Sequence, residues 1–144
     1  MLVHELLETA QDQQELQHLL QRARFAGRLT EAEFQLIAQQ FEALFQEELM
    51  RSWYAPGRKV LREQGIYVPE KGQRRPDRIV FLPDAVHVID FKTGEPRRQD
   101  REQVLAYQAL VEQLQDLPVQ AFLVYVDPVQ LVALGGNQRK NSSQ

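Results

Sequence analysis

The sequence predicts an α/β domain with a mixed sheet, in the order αβββαβ, preceded by extra N-terminal helices. Three observations carry this. Apolar residues recur at helical spacing through roughly the first 55 residues. From residue 58 the period changes, and two apolar runs, Ile79-Val80-Phe81-Leu82 and Val86-His87-Val88-Ile89, flank a Pro-Asp turn. A long helical stretch and a continuous apolar run follow in that order.

The elements follow from local chemistry. Val3, Leu6, Leu7 and Ala10 have helical spacing, as do Leu16, Leu19, Leu20 and Ala23 over residues 12 to 25, with Gly27 placed to end that helix. Thr30-Glu31-Ala32-Glu33 is a capping box, so a third helix starts there. Its apolar face, Phe34, Ile37, Phe41, Leu44, Phe45 and Leu49, runs on until Pro56-Gly57. Residues 58 to 68 read as a first strand, and Pro69 to Gly72 as a turn. The hairpin of residues 77 to 92 supplies strands two and three, which Thr93-Gly94-Glu95-Pro96 terminates. A helix over about residues 98 to 115 turns Val104, Tyr107, Leu110, Val111 and Leu114 inward, and residues 119 to 126 form a buried strand. One domain is expected over residues 1–134, helical over 1–55 and α/β over 58–126; residues 135–144 have no periodicity and read as a disordered tail.

Composition excludes several chemistries. The chain has 144 residues, 43% apolar and 26% charged, ordinary for a soluble globular protein. It has no cysteine, which rules out disulfides, a cysteine zinc site, a thiolate nucleophile and an iron–sulfur cluster. The longest apolar run, residues 121 to 126, is too short to span a membrane. Met1 leads directly into an amphipathic helical pattern rather than a secretory signal, so a cytoplasmic location is expected. The net charge of −3 does not mark a nucleic-acid binder, but its distribution is uneven. Arg74, Arg75 and Arg78 surround Asp77, and Arg97, Arg98 and Arg101 follow the third strand, while Glu42, Glu47 and Glu48 lie in the N-terminal half. Six arginines near one site can hold phosphates or form a solvated loop; the sequence leaves both readings open.

Asp77, Asp90 and Lys92 carry the most chemistry. A turn centred between Pro83 and Asp84 pairs residues whose numbers sum to 167, which sets Asp77 across from Asp90. Opposed residues of an antiparallel pair have Cβ atoms roughly 5 Å apart. Lys92, two residues beyond Asp90, shares its face. Asp90 also continues the apolar row of Val86 and Val88, so it is expected to be partly buried. Two adjacent carboxylates repel unless a divalent cation lies between them. Asp77 as a strand cap beside the arginines, and Asp90–Lys92 as a surface ion pair, are the plain structural alternatives. Gln103 and Tyr107 are four apart on one helical face. His87 alternates away from Asp90, His18 lies on a glutamine-rich helix, and Trp53-Tyr54 either packs the helix-to-strand junction or stacks on a base.

The ordered set His4, Arg75-Pro76-Asp77-Arg78-Ile79, Val88-Ile89-Asp90-Phe91-Lys92-Thr93-Gly94 and Gln103-x-x-x-Tyr107 resembles the PD-(D/E)XK nuclease superfamily. It resembles most the RecB/AddA-type nuclease domain at the C-terminus of UvrD-like helicases. The resemblance covers nearly the whole chain. It implies a restriction-endonuclease-like core, with Asp77 and Asp90 ligating Mg²⁺ or Mn²⁺. It implies an imidazole ligand from His4 and a main-chain carbonyl ligand from Phe91. Lys92 would orient or deprotonate the attacking water and stabilise the charged transition state. Gln103 and Tyr107 would support the site and touch DNA, and Glu63 on strand one would pair with Lys92 or join the site. The glycine that usually precedes the His is missing, so the chain is expected to be a piece of a longer protein with a helicase upstream. It fits the branch without an iron–sulfur cluster.

The expected function is therefore a Mg²⁺- or Mn²⁺-dependent deoxyribonuclease, exonuclease rather than endonuclease. Its expected partners are DNA and a helicase domain, in recombination and repair of DNA ends; there is no membrane partner, and the isolated domain is expected to be monomeric. The rival reading is a catalytically silent nuclease fold that binds DNA or docks to a helicase. A stand-alone junction resolvase would share the chemistry and need its own DNA surface.

Overall fold

The computed structural model describes residues 2–62, 76–94 and 96–134. The chain divides into two compact units, Met1–Arg58 and Lys59–Gln144. Among the described residues no helix is long and apolar enough to cross a membrane.

The first unit is helical: α1 Leu2–Thr9, α2 Gln13–Phe25, α3 Glu31–Leu44 and α4 Glu48–Trp53. Its helix ends are closed by side chains that the sequence places there. Asp12 caps α2 by accepting from the Glu15 N–H at 2.8 Å. Gly27, at φ +76°, ends α2. Its N–H donates to the Arg24 carbonyl and that of Arg28 to the Ala23 carbonyl, the two bonds of a Schellman motif. The Thr30–Glu33 capping box forms as expected, with reciprocal bonds of 3.1 and 2.8 Å. Leu6, Leu7, Leu16, Leu20, Phe41, Leu44 and Met50 form the buried stripe of these helices.

The third helix is not continuous to Pro56. It stops at Leu44 and resumes at Glu48. The turn between is stabilised by Arg51, whose Nη1 donates to the carbonyls of Phe45 and Gln46 at 2.8 Å each. This satisfies acceptors that a broken helix would otherwise leave open. The turn also sets Phe45 edge-on to Tyr54, with ring centroids 5.5 Å apart. Trp53 and Tyr54 are both fully buried, and the Tyr54 hydroxyl donates to the Leu7 carbonyl. Tyr54 packs within the helical unit, and an exposed Trp53-Tyr54 pair for base stacking is excluded. His18 is exposed, as its glutamine-rich helix implies.

Among the described residues, the second unit holds a five-stranded mixed sheet in the order β1-β2-β3-β4-β5 and one helix, α5 Arg98–Leu114. The strands are β1 Lys59–Leu61, β2 Arg78–Phe81, β3 Val86–Lys92, β4 Val119–Val126 and β5 Val129–Leu134. The first three form an antiparallel meander, β4 returns parallel to β3 through α5, and β5 folds back antiparallel on β4. The expected strand over 58 to 68 is described only as far as Arg62; Glu63, the turn of Pro69 to Gly72, Arg74, Arg75, Glu95 and the tail 135–144 lie outside the described residues. The strand β5 follows the expected order as an addition. Val86, Val88, Ala121, Leu123, Val104, Tyr107 and Val111 form the core between sheet and α5. The expected hairpin register holds: Arg78 faces Ile89 and Phe81 faces Val86, with the Leu82 N–H bonded to the Ala85 carbonyl across the turn. These numbers sum to 167.

Candidate active site

The site forms where β3 leaves the core. Val86 and Val88 pack under α5; Asp90 and Lys92 continue the same row beyond the apolar cluster. β2 begins just after Asp77, whose backbone and side chain both bond to β3. The Asp77 N–H donates to Asp90 Oδ1 at 3.1 Å, and the Phe91 N–H donates to Asp77 Oδ2 at 2.8 Å. One oxygen of each carboxylate is thus clamped by a backbone amide, which fixes both groups before any ligand arrives. Both aspartates are buried, 8% and 4% exposed.

Lys92 completes the cluster. Its Nζ lies 3.5 Å from Asp90 Oδ2 and donates to Gln103 Oε1 at 2.9 Å. Gln103 stands on the first turns of α5, so the crossover helix delivers it to the end of β3. Tyr107, one turn further on, is 2% exposed and belongs to the apolar cluster, where it supports the helix. Phe91 lies between the two charged residues, its ring buried on the opposite face.

The cluster crowds like charge around Asp90. Burial, first, and the neighbouring Asp77 carboxylate, second, push the Asp90 carboxyl up to about 8, against the opposing pull of Lys92. Asp77 and Asp90 offer oxygen ligands, and both carboxylates are preset by backbone bonds. That donor set suits a hard divalent cation, Mg²⁺ or Mn²⁺, rather than a thiophilic metal.

His4 belongs to α1, in the first unit, where it is half-buried. Glu8, one helical turn along and missed in the sequence, presents a carboxylate oxygen within 4.8 Å of the His4 ring nitrogen. Their i, i+4 spacing was the available signal. Arg78 is 0% exposed and its side chain alternates away from Asp77 and Ile79. Neither a phosphate contact nor a solvated loop describes it. Arg97, Arg98 and Arg101 are exposed around the start of α5. His87 is half-buried on the face opposite Asp90, its ring 4.8 Å from that of Phe122, and burial lowers its pKa despite Asp84.

Two further polar residues were also missed. Asp100 accepts from the Arg97 N–H at 3.0 Å and from the Tyr125 hydroxyl at 3.2 Å. The Arg97-x-x-Asp100 spacing is that of a capping box, and Tyr125 carries a polar tip in an otherwise apolar run.

Comparison with protein-family models and with curated proteins finds no match to this chain.

Proposed function

We propose that this chain is a divalent-cation-dependent DNA nuclease domain with a PD-(D/E)XK core of the RecB type, hydrolysing phosphodiester bonds. The observation that carries the reading is the pair of buried carboxylates, Asp77 and Asp90, clamped across a hairpin with Lys92 3.5 Å from one of them. Surface ion pairs do not require such burial, and two neighbouring buried carboxylates repel each other, a cost that a bound divalent cation removes.

Asp77 and Asp90 would hold the cation, with the Phe91 carbonyl beside them; the resemblance adds His4 as a further ligand. When bound, a divalent cation supplies neutralisation of phosphate charge and acidifies water. Lys92 has three N–H donors. Gln103 fixes one, Asp90 draws a second, and the third serves a phosphate oxygen or the attacking water. Gln103 thereby orients the ammonium, and Tyr107 secures the helix that carries Gln103. The exposed arginines at the start of α5 would attract the phosphate backbone. Action on DNA ends beside a helicase, in the cytoplasm, completes the reading.

The test is cleavage of labelled single- and double-stranded DNA at low salt with Mg²⁺, Mn²⁺ or EDTA. Cation-dependent cleavage is expected, reduced about 100-fold or more in Lys92→Ala, the scale for losing a group that stabilises transition-state charge. Unchanged cleavage in Lys92→Ala contradicts the site. No cleavage by the native chain contradicts the nuclease and favours the silent module.

A further inference from the structure

Asp100 and Tyr125 are buried polar groups beside the site that the proposed chemistry leaves unused. They are 8% and 5% exposed. Among the described residues, the first turn of α5 has little apolar packing. Arg97, Arg98, Gln99, Arg101 and Glu102 are all exposed, and apolar packing begins only at Val104. Helix ends without packing open readily. Asp100 is the buried residue of that first turn, and its Oδ2 accepts from both the Arg97 N–H and the Tyr125 hydroxyl. Tyr125 is the β4 residue in register with Lys92. Gln103, three positions and about one turn after Asp100, is the residue that bonds Lys92.

We infer that the Asp100–Tyr125 hydrogen bond is a positioning device: it pins the first turn of α5 to β4 at the level of Lys92, and so sets Gln103 against the Lys92 ammonium. Its effect on hydrolysis rests on the nuclease reading; its effect on Lys92 does not. Both residues act through Gln103, so they are positioning residues rather than catalytic ones. The bond joins residues 25 apart in sequence, on two elements that converge on the same lysine.

The test pulses the full chain with an N-hydroxysuccinimide acetyl ester and reads each lysine by peptide mass spectrometry. Lys59, on β1, is the internal control. Tyr125→Phe removes only the hydroxyl. It is expected to raise acetylation of Lys92 relative to Lys59 about fivefold, the scale of one lost hydrogen bond. Gln103→Ala should do the same, and the double variant should add nothing. Asp100→Asn keeps an acceptor oxygen and should stay near native, whereas Asp100→Ala should match Tyr125→Phe. An unchanged Lys92 ratio in Tyr125→Phe overturns the inference. So does a parallel rise at both lysines, which would mean general loosening. In the cleavage assay, Tyr125→Phe should lower kcat with KM for DNA unchanged. An inactive native chain would sink the nuclease reading while the acetylation ratio still decides the positioning.

Discussion

Arg24 and Glu31 in the helical unit meet at 2.8 Å with 42% and 60% of their side chains exposed, whereas Lys92 and Asp90 in the sheet unit meet at 3.5 Å with 25% and 5% exposed. The shorter pair is the weaker clue. Water screens Arg24–Glu31, which neither costs much to form nor contributes much to stability. The longer pair sits where desolvation is expensive, beside a second carboxylate that makes it worse. Helical caps and surface pairs explain themselves by folding alone. The buried charges at the end of β3 do not, and they mark the candidate site.

That contrast predicts graded outcomes. The largest effect on folding should come from the helical unit: Trp53→Ala opens a cavity at a fully buried position and should destabilise by about 3–5 kcal/mol in chemical denaturation. Second, Asp90→Asn should do the opposite in EDTA at pH 8. Removing one of two repelling buried carboxylates should raise Tm by on the order of 5 °C, and a lower Tm would contradict the electrostatic account.

Third, the pH dependence has a definite sign. Asp90 has a folded pKa raised from 3.8 to about 8. Its favourable contribution is therefore complete below about pH 4 and is lost as pH rises through 8. In EDTA the native chain should lose stability across that window relative to Asp90→Asn, measured by urea midpoints; parallel curves would refute this. The smallest effect belongs to the surface pair. Glu31→Gln should move Tm by no more than about 1 °C, and that small shift should fade in high salt.

Legibility in the sequence follows the same division. The hairpin was readable because Pro83-Asp84 lies between two apolar runs, so one turn fixed the facing of Asp77 and Asp90. The helix caps at Thr30 and Gly27 were readable because capping is local. The break between α3 and α4 was not, since residues 45 to 47 contain neither Gly nor Pro and the turn depends on Arg51 reaching back to two carbonyls. β5 was missed because it is a half-buried edge strand, although Asp127-Pro128 before it is a turn signal. The burial of Arg78 was hidden by the arginines around it in sequence. The Asp100–Tyr125 tie depends on tertiary contact, which no local pattern encodes.

The most direct test of the central claim is a calorimetric titration of Mn²⁺ into the native chain at pH 8, beside Asp77→Asn and Asp90→Asn. The paired-carboxylate account predicts saturable binding by the native chain, lost or weakened at least about tenfold in each variant as an oxygen ligand of a hard cation is neutralised. Equal binding by all three proteins would contradict it.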